Sequence, residues 1–153
     1  MQQFFATVAW QRDGQDFAGQ RYSRGHAWHF DGGLTVPASS SPLSVPLPMS
    51  VAANVDPEEA LVAATSSCHM LFFLSLAAQR GFIVDDYRDE AVGELGKNGA
   101  GRLAMTRIVL RPRIAFAGTQ PSPEALAALH HDAHERCYIA NSLTAEVVVE
   151  RAA

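Results

Sequence analysis

The sequence predicts an α+β fold with a mostly antiparallel sheet. Three observations lead there. Short β-rich runs stand near both ends, one long apolar helix with clear start and stop signals lies between them, and a second helix precedes a final strand. The chain has 153 residues, 48% of them hydrophobic and 18% charged, so it is expected to form one domain, 1–153, with a sizeable core.

Phe4 to Gln11 reads as the first strand, being rich in aromatic and β-favouring residues. Residues 26–30 and 34–36 flank Asp31-Gly32-Gly33 and predict a hairpin. Residues 37–49 hold four of the eight prolines and several serines, which predicts an irregular loop rather than a strand. The long helix then starts with Asp56 as N-cap, Pro57 at the first helical position and Glu59 positioned for a capping box. It stops at Arg80-Gly81, a basic residue followed by the usual C-terminal glycine. Residues 86–97 and 103–117 read as two strands joined by Lys97-Asn98-Gly99-Ala100-Gly101. In the second, Ile108, Leu110, Ile114 and Phe116 share one face and Arg107, Arg111 and Arg113 the other, as a solvated outer row would. Ser122 and Pro123 open a second helix that should run to about Ala140, and Leu143, Ala145, Val147 and Val149 point inward from a last strand.

Composition also excludes. Net charge is −4 with no basic block, so nucleic acid is not an expected partner. Met1-Gln2-Gln3-Phe4 lacks the basic and long apolar regions of a signal peptide, which makes the cytoplasm the expected location. From Ala60 to Gln79 no Asp, Glu, Lys or Arg occurs, a stretch long enough to cross a bilayer. Thr65-Ser66-Ser67-Cys68-His69 in its middle is costly there, so no membrane partner is expected and the segment reads as a buried helix. A helix apolar nearly all round must be covered on most sides, by a sheet, another helix or a second chain.

The two cysteines, Cys68 and Cys137, are 69 positions apart, too few for a disulfide scaffold. Cys68 lies midway along the apolar helix, where burial raises a thiol and the helix dipole no longer reaches. A reactive Cys68 would need a cation brought from elsewhere; otherwise it is a core thiol. His130, His134 and Cys137 are spaced to share one helical face and form a rival zinc set, although no fourth ligand is evident.

Asp56-Pro57-Glu58-Glu59, Ala63-Ala64 and Ser66-Ser67-Cys68-His69 together resemble the signature of the OsmC/Ohr family of thiol peroxidases. There an acidic residue after a proline precedes the peroxidatic cysteine by ten positions, as Glu58 precedes Cys68. Residues 133–142, Ala-His-Glu-Arg-Cys-Tyr-Ile-Ala-Asn-Ser, look like the segment around the family's second cysteine. Arg21-Tyr22-Ser23-Arg24-Gly25-His26 looks like the segment that supplies its arginine, with Arg24 favoured over Arg21. Two departures stand out: Tyr138-Ile139-Ala140 replaces the Pro-Tyr-Ser of the organic-hydroperoxide branch, and His69 follows the cysteine directly.

The resemblance implies mostly antiparallel sheets wrapped around long central helices in an intertwined homodimer. It implies that Cys68 attacks hydroperoxides, that Arg24 steadies its thiolate and that Glu58 orients Arg24. Cys137 would close a disulfide with Cys68, reopened by a dithiol such as a dihydrolipoyl group, with no metal, haem or flavin. Apart from it, Glu58 reads equally as an acid favourable to a first helical turn, Arg24 as a surface charge and Cys137 as a small core residue. Besides the zinc module, a non-catalytic binder of hydrophobic ligands on the same fold is the remaining alternative.

Overall fold

The computed structural model describes residues 1–150. Packing divides the chain into two compact units, Met1–Ala60 and Leu61–Ala153.

The first unit holds one antiparallel sheet, β1 (Ala6–Ala9), β2 (His26–Phe30) and β3 (Thr35–Ala38), in that order. The Asp31-Gly32-Gly33 turn joins β2 to β3 as its composition predicts, with Gly33 at φ 89° and Phe30 N–H donating to Leu34. The irregular segment begins two residues later than expected, after Ala38. Pro37 lies within β3, opposite Ala27. An edge strand tolerates it, and its carbonyl accepts from Val55 on the outer side.

Helix α1 (Pro57–Gln79) opens in this unit and continues into the second. Its capping box is formed in both directions. Glu59 N–H donates to Asp56 Oδ1 at 2.8 Å, and Asp56 N–H donates to Glu59 Oε2 at 3.3 Å. Its end is a Schellman turn: Phe82 N–H reaches the Ala77 carbonyl and Gly81, at φ 81°, donates to Ala78.

The second unit contains β4 (Ile83–Asp89), β5 (Val92–Lys97), β6 (Leu103–Leu110), β7 (Pro112–Ala117), α2 (Pro123–Arg136), a 3₁₀ turn at Ala140–Ser142 and β8 (Glu146–Val149). The two long strands expected at 86–97 and 103–117 are four. β4 pairs with β7 in one sheet, and β5, β6 and β8 form another. The breaks fall at Glu90-Ala91 and at Arg111, next to Pro112. There Asp89 accepts from Arg111 N–H at 2.6 Å while its other oxygen takes the Ser66 hydroxyl. Alternating hydrophobicity runs through the Arg111 break and hides it, whereas at the first break the polar run Arg88-Asp89-Glu90 followed by Ala91-Val92 interrupts the alternation. Ile108, Val109 and Leu110 are all fully buried, so the end of β6 is covered on both faces. β8 runs parallel to β6, the exception in an otherwise antiparallel arrangement, and its Val147, Val148 and Val149 are all half-buried rather than alternating. The arginine row is solvated as expected, with Arg107 near Glu94 and Glu146, Arg111 near Glu150 and Arg113 near Glu90.

The core of this unit joins Phe73, Leu76 and Ala77 of α1 to Leu129 and Ala133 of α2, backed by Tyr87, Ile114 and Phe116 from the β4–β7 sheet. α1 also approaches β5 at Gly93, where a Cβ would lie 2.5 Å from Val62 Cγ2. The helix is not covered all round. Thr65, His69, Phe73, Leu76 and Ala77 are buried, while Ala63, Ala64, Ser67, Leu71 and Ser75 stay exposed along the opposite side. By length and composition α1 passes as a bilayer-crossing helix. Its polar midsection is nonetheless engaged with protein: Thr65 donates to the Leu61 carbonyl, Ser66 to Asp89, and His69 is paired with His130.

Candidate active site

Folding of the second unit brings the two cysteines together. Cys68 lies half-buried on α1, and Cys137, 1% exposed, caps the C-terminus of α2. α2 ends at Arg136, earlier than the sequence suggests, and Cys137 takes an extended conformation. Its sulfur accepts the Ala140 N–H at 3.4 Å, which holds the thiol against the turn that follows. Both thiols are free, and Cys68 is near enough to bear electrostatically on Cys137. Burial pushes the Cys137 thiol up to about 11; the neighbouring Cys68 acts in the same direction, against the N–H groups of Ala140 and Ile139.

Cys68 opens onto an apolar groove of about 520 Å³, lined also by Ala64, Ser67, Leu71, Phe72, Ser75, Tyr138 and Ile139. The Tyr138 ring stands edge-on to Phe72 at 5.1 Å. Such a groove suits an apolar substituent beside the sulfur.

On the buried side of α1, His69 forms a contact that sequence reading missed. Its Nε2 lies 3.1 Å from His130 Nδ1, with the rings stacked 5.4 Å apart. The partners are 61 positions apart, so no local signal joins them. Burial lowers His69 to about 4, assisted by His134 and opposed by Asp89. One neutral imidazole donates to the other, and charging either breaks that arrangement. In the unfolded chain His69 takes up a proton below its ordinary 6.5, whereas in the folded protein it resists until about 4. The unfolded state thus binds the extra proton within that window, and stability falls as pH drops through it. The full gap is about 3 kcal/mol. Urea unfolding at pH 7.5 and 4.5 checks this: His69→Gln should lose less stability on acidification than the parent, by about 2 kcal/mol. Equal losses would contradict it.

The zinc set does not assemble. Cys137 lies beyond the helix that carries His130 and His134, and among the described residues no group of three His, Cys, Asp or Glu side chains is placed to hold a metal ion.

The remaining predicted residues belong to the first unit. Arg24 is half-buried, with Nη1 donating to the carbonyls of Tyr22 (2.6 Å) and Gln20 (3.2 Å) and Nη2 to Gln20 Oε1 (3.0 Å). Its guanidinium lies 3.6 Å over the Tyr22 ring, which itself stacks with Phe17. Arg21 is instead committed to an exposed ion pair with Asp16. Glu58 is half-buried in the first turn of α1 and is separate from the capping box, which Glu59 forms. α1 runs unbroken from Pro57 to Gln79.

The OsmC-like protein family profile matches residues 51–151, which include both cysteines and Glu58. No curated protein matches the chain. Among solved structures, an OsmC-like protein of unknown function from Vibrio cholerae is 53% identical, covers 99% of this chain and 100% of its own, and superposes with a TM-score of 0.97. An organic hydroperoxide resistance protein from Elizabethkingia anophelis shares the fold at 18% identity, with a TM-score of 0.69 and coverage of 99% and 94%. The organic hydroperoxide resistance protein OhrB of Bacillus subtilis does so at 19% identity, with a TM-score of 0.63 and coverage of 97% and 98%. With the two-cysteine arrangement on one continuous helix and the turn after α2, these likenesses make the chain a member of the OsmC-like family.

Proposed function

We propose that the protein is a thiol-dependent peroxidase that reduces organic hydroperoxides. One observation carries the reading: two thiols 69 positions apart lie near each other beside an apolar groove, one half-exposed and the other buried. The Cys68 thiolate attacks the O–O bond, releases an alcohol and becomes a sulfenic acid. Cys137 condenses with it, and a dithiol such as a dihydrolipoyl group reopens the disulfide by exchange. No metal, haem or flavin takes part. A binder without catalysis would need the groove but not the paired thiols.

Arg24 stabilises the thiolate and Glu58 orients Arg24. Their assembly takes a second copy of the chain in an intertwined homodimer. The uncovered side of α1 and the exposed Phe4, Phe5, Val8 and Leu34 of the first unit are the apolar surfaces it would cover. The cytoplasm, where dithiol reductants are available, is the proposed location. Steady-state turnover with a dihydrolipoyl reductant tests the substrate class. Both tert-butyl hydroperoxide and a lipid hydroperoxide should give kcat/KM at least about tenfold above hydrogen peroxide, since roughly each buried methylene adds 0.8 kcal/mol. Equal values would remove the groove from substrate selection, and no turnover with any peroxide would remove the peroxidase reading.

A further inference from the structure

We infer that Phe72 and Tyr138 form a corner of the groove that takes an aryl ring, which makes aryl-substituted hydroperoxides its preferred substrates. The substrate half of the inference rests on the peroxidase reading above; the ring site does not.

The two rings stand at 87° with centroids 5.1 Å apart, and both line the same groove as Cys68. Two perpendicular planes favour a third ring. A ring parallel to either one lies perpendicular to the other, so it stacks offset on the first and meets the second edge-to-face. Those are the two arrangements that aromatic pairs prefer. A saturated group of the same size fills the corner without either contact. The space suffices, since the groove of about 520 Å³ falls within the roughly 300–1,000 Å³ of small-molecule sites. Among the described residues that line it, none but Cys68 can carry a charge near neutral pH, so its walls offer a charged substituent no partner.

The corner lies beside the reacting sulfur and is fixed from both sides. Phe72 follows Cys68 by four residues on α1, which makes the two side chains neighbours on one helical face. Tyr138 is 71% exposed, yet its backbone is held by the turn after α2. Its carbonyl accepts the Ser142 hydroxyl at 2.7 Å, and the carbonyls of Cys137 and Ile139 accept the N–H groups of Asn141 and Ser142. Tyr138 is also where this chain departs from the organic-hydroperoxide branch, whose proline has no π face.

The test compares cumyl hydroperoxide with its ring-saturated analogue, 2-cyclohexylpropan-2-yl hydroperoxide, by kcat/KM with a dihydrolipoyl reductant. Both release a tertiary alcohol, and comparing their ratio between parent and variant cancels their intrinsic difference. The parent should favour the phenyl compound by at least about fivefold, or about 1 kcal/mol, the lower end of two aromatic contacts. Tyr138→Leu and Phe72→Leu should each cut that preference by at least about twofold, the lower end of one contact. Tyr138→Phe keeps the ring and should keep the preference. A variant that merely disturbs Cys68 slows both substrates alike and leaves the preference unmoved. That result in both leucine variants would overturn the inference, as would equal values in the parent. Binding of the two product alcohols, followed through the amide chemical shifts of Tyr138 and Ile139, needs no turnover and should show the same order. A parent inert toward every hydroperoxide that still prefers cumyl alcohol removes the peroxidase reading and leaves the ring site standing. Turnover without preference in rate or in binding removes the ring site and leaves the peroxidase reading intact.

Discussion

Cys68→Ser is expected to fold and to lose hydroperoxide turnover by at least about 1,000-fold, because a serine hydroxyl does not ionise near neutral pH and a thiol in part does. The substitution keeps nearly the same volume at a half-buried position, so its effect on unfolding should stay within about 1 kcal/mol. Coupled reductant consumption with tert-butyl hydroperoxide, alongside urea unfolding, separates the two effects. Substantial activity in a folded Cys68→Ser protein would mean that the nucleophile lies elsewhere.

Mixing two inactive chains should restore activity. Cys68 lies ten residues beyond Glu58 on one uninterrupted helix. At the helical rise this is about 15 Å along the axis, beyond the reach of a glutamate side chain. No glycine or proline after Pro57 interrupts α1, and the structure has no kink residue to shorten the path. If two α1 helices pack antiparallel about a twofold axis, the start of one lies beside the middle of the other. Glu58 of one copy would then serve Cys68 of the other, through Arg24. A heterodimer of Glu58→Ala and Cys68→Ser chains carries both lesions in one site and neither in the other. Its activity should therefore return to about half that of the parent dimer. Heterodimers that form, as shown by differential tagging, yet remain inactive would place both residues in one chain.

Much of this was legible in the sequence. The capping box at Asp56 and Glu59 rests on side-chain-to-backbone hydrogen bonds and the stop at Gly81 on backbone ones, all between near neighbours, so the residues announce them. The same holds for the 31–33 turn and for the Asn98 turn, where one side-chain oxygen accepts from both Ala100 and Arg102. The strand break at Arg111 was not legible, because it depends on Asp89 gathering bonds from Ser66 and Arg111 while the alternation continues through it; at Glu90-Ala91 the polar run Arg88-Asp89-Glu90 already interrupts the alternation. The end of α2 was misjudged by about one turn. Nothing in Cys137-Tyr138-Ile139-Ala140 forbids a helix; the end is set where the Cys137 sulfur receives the Ala140 N–H. The nucleophile candidate was found through a family pattern, since its own surroundings also suit a core thiol. The His69–His130 pair and the groove wall at Tyr138 came only with the tertiary structure.

The most direct test of the account is chemical mapping after one turnover. Reduced protein is treated with one equivalent of tert-butyl hydroperoxide, quenched by alkylation and digested for mass spectrometry. The account predicts a peptide pair linked between Cys68 and Cys137, which disappears on treatment with a dihydrolipoyl reductant. Recovery of Cys137 fully alkylated, with Cys68 either untouched or present only as sulfinic acid, would contradict it.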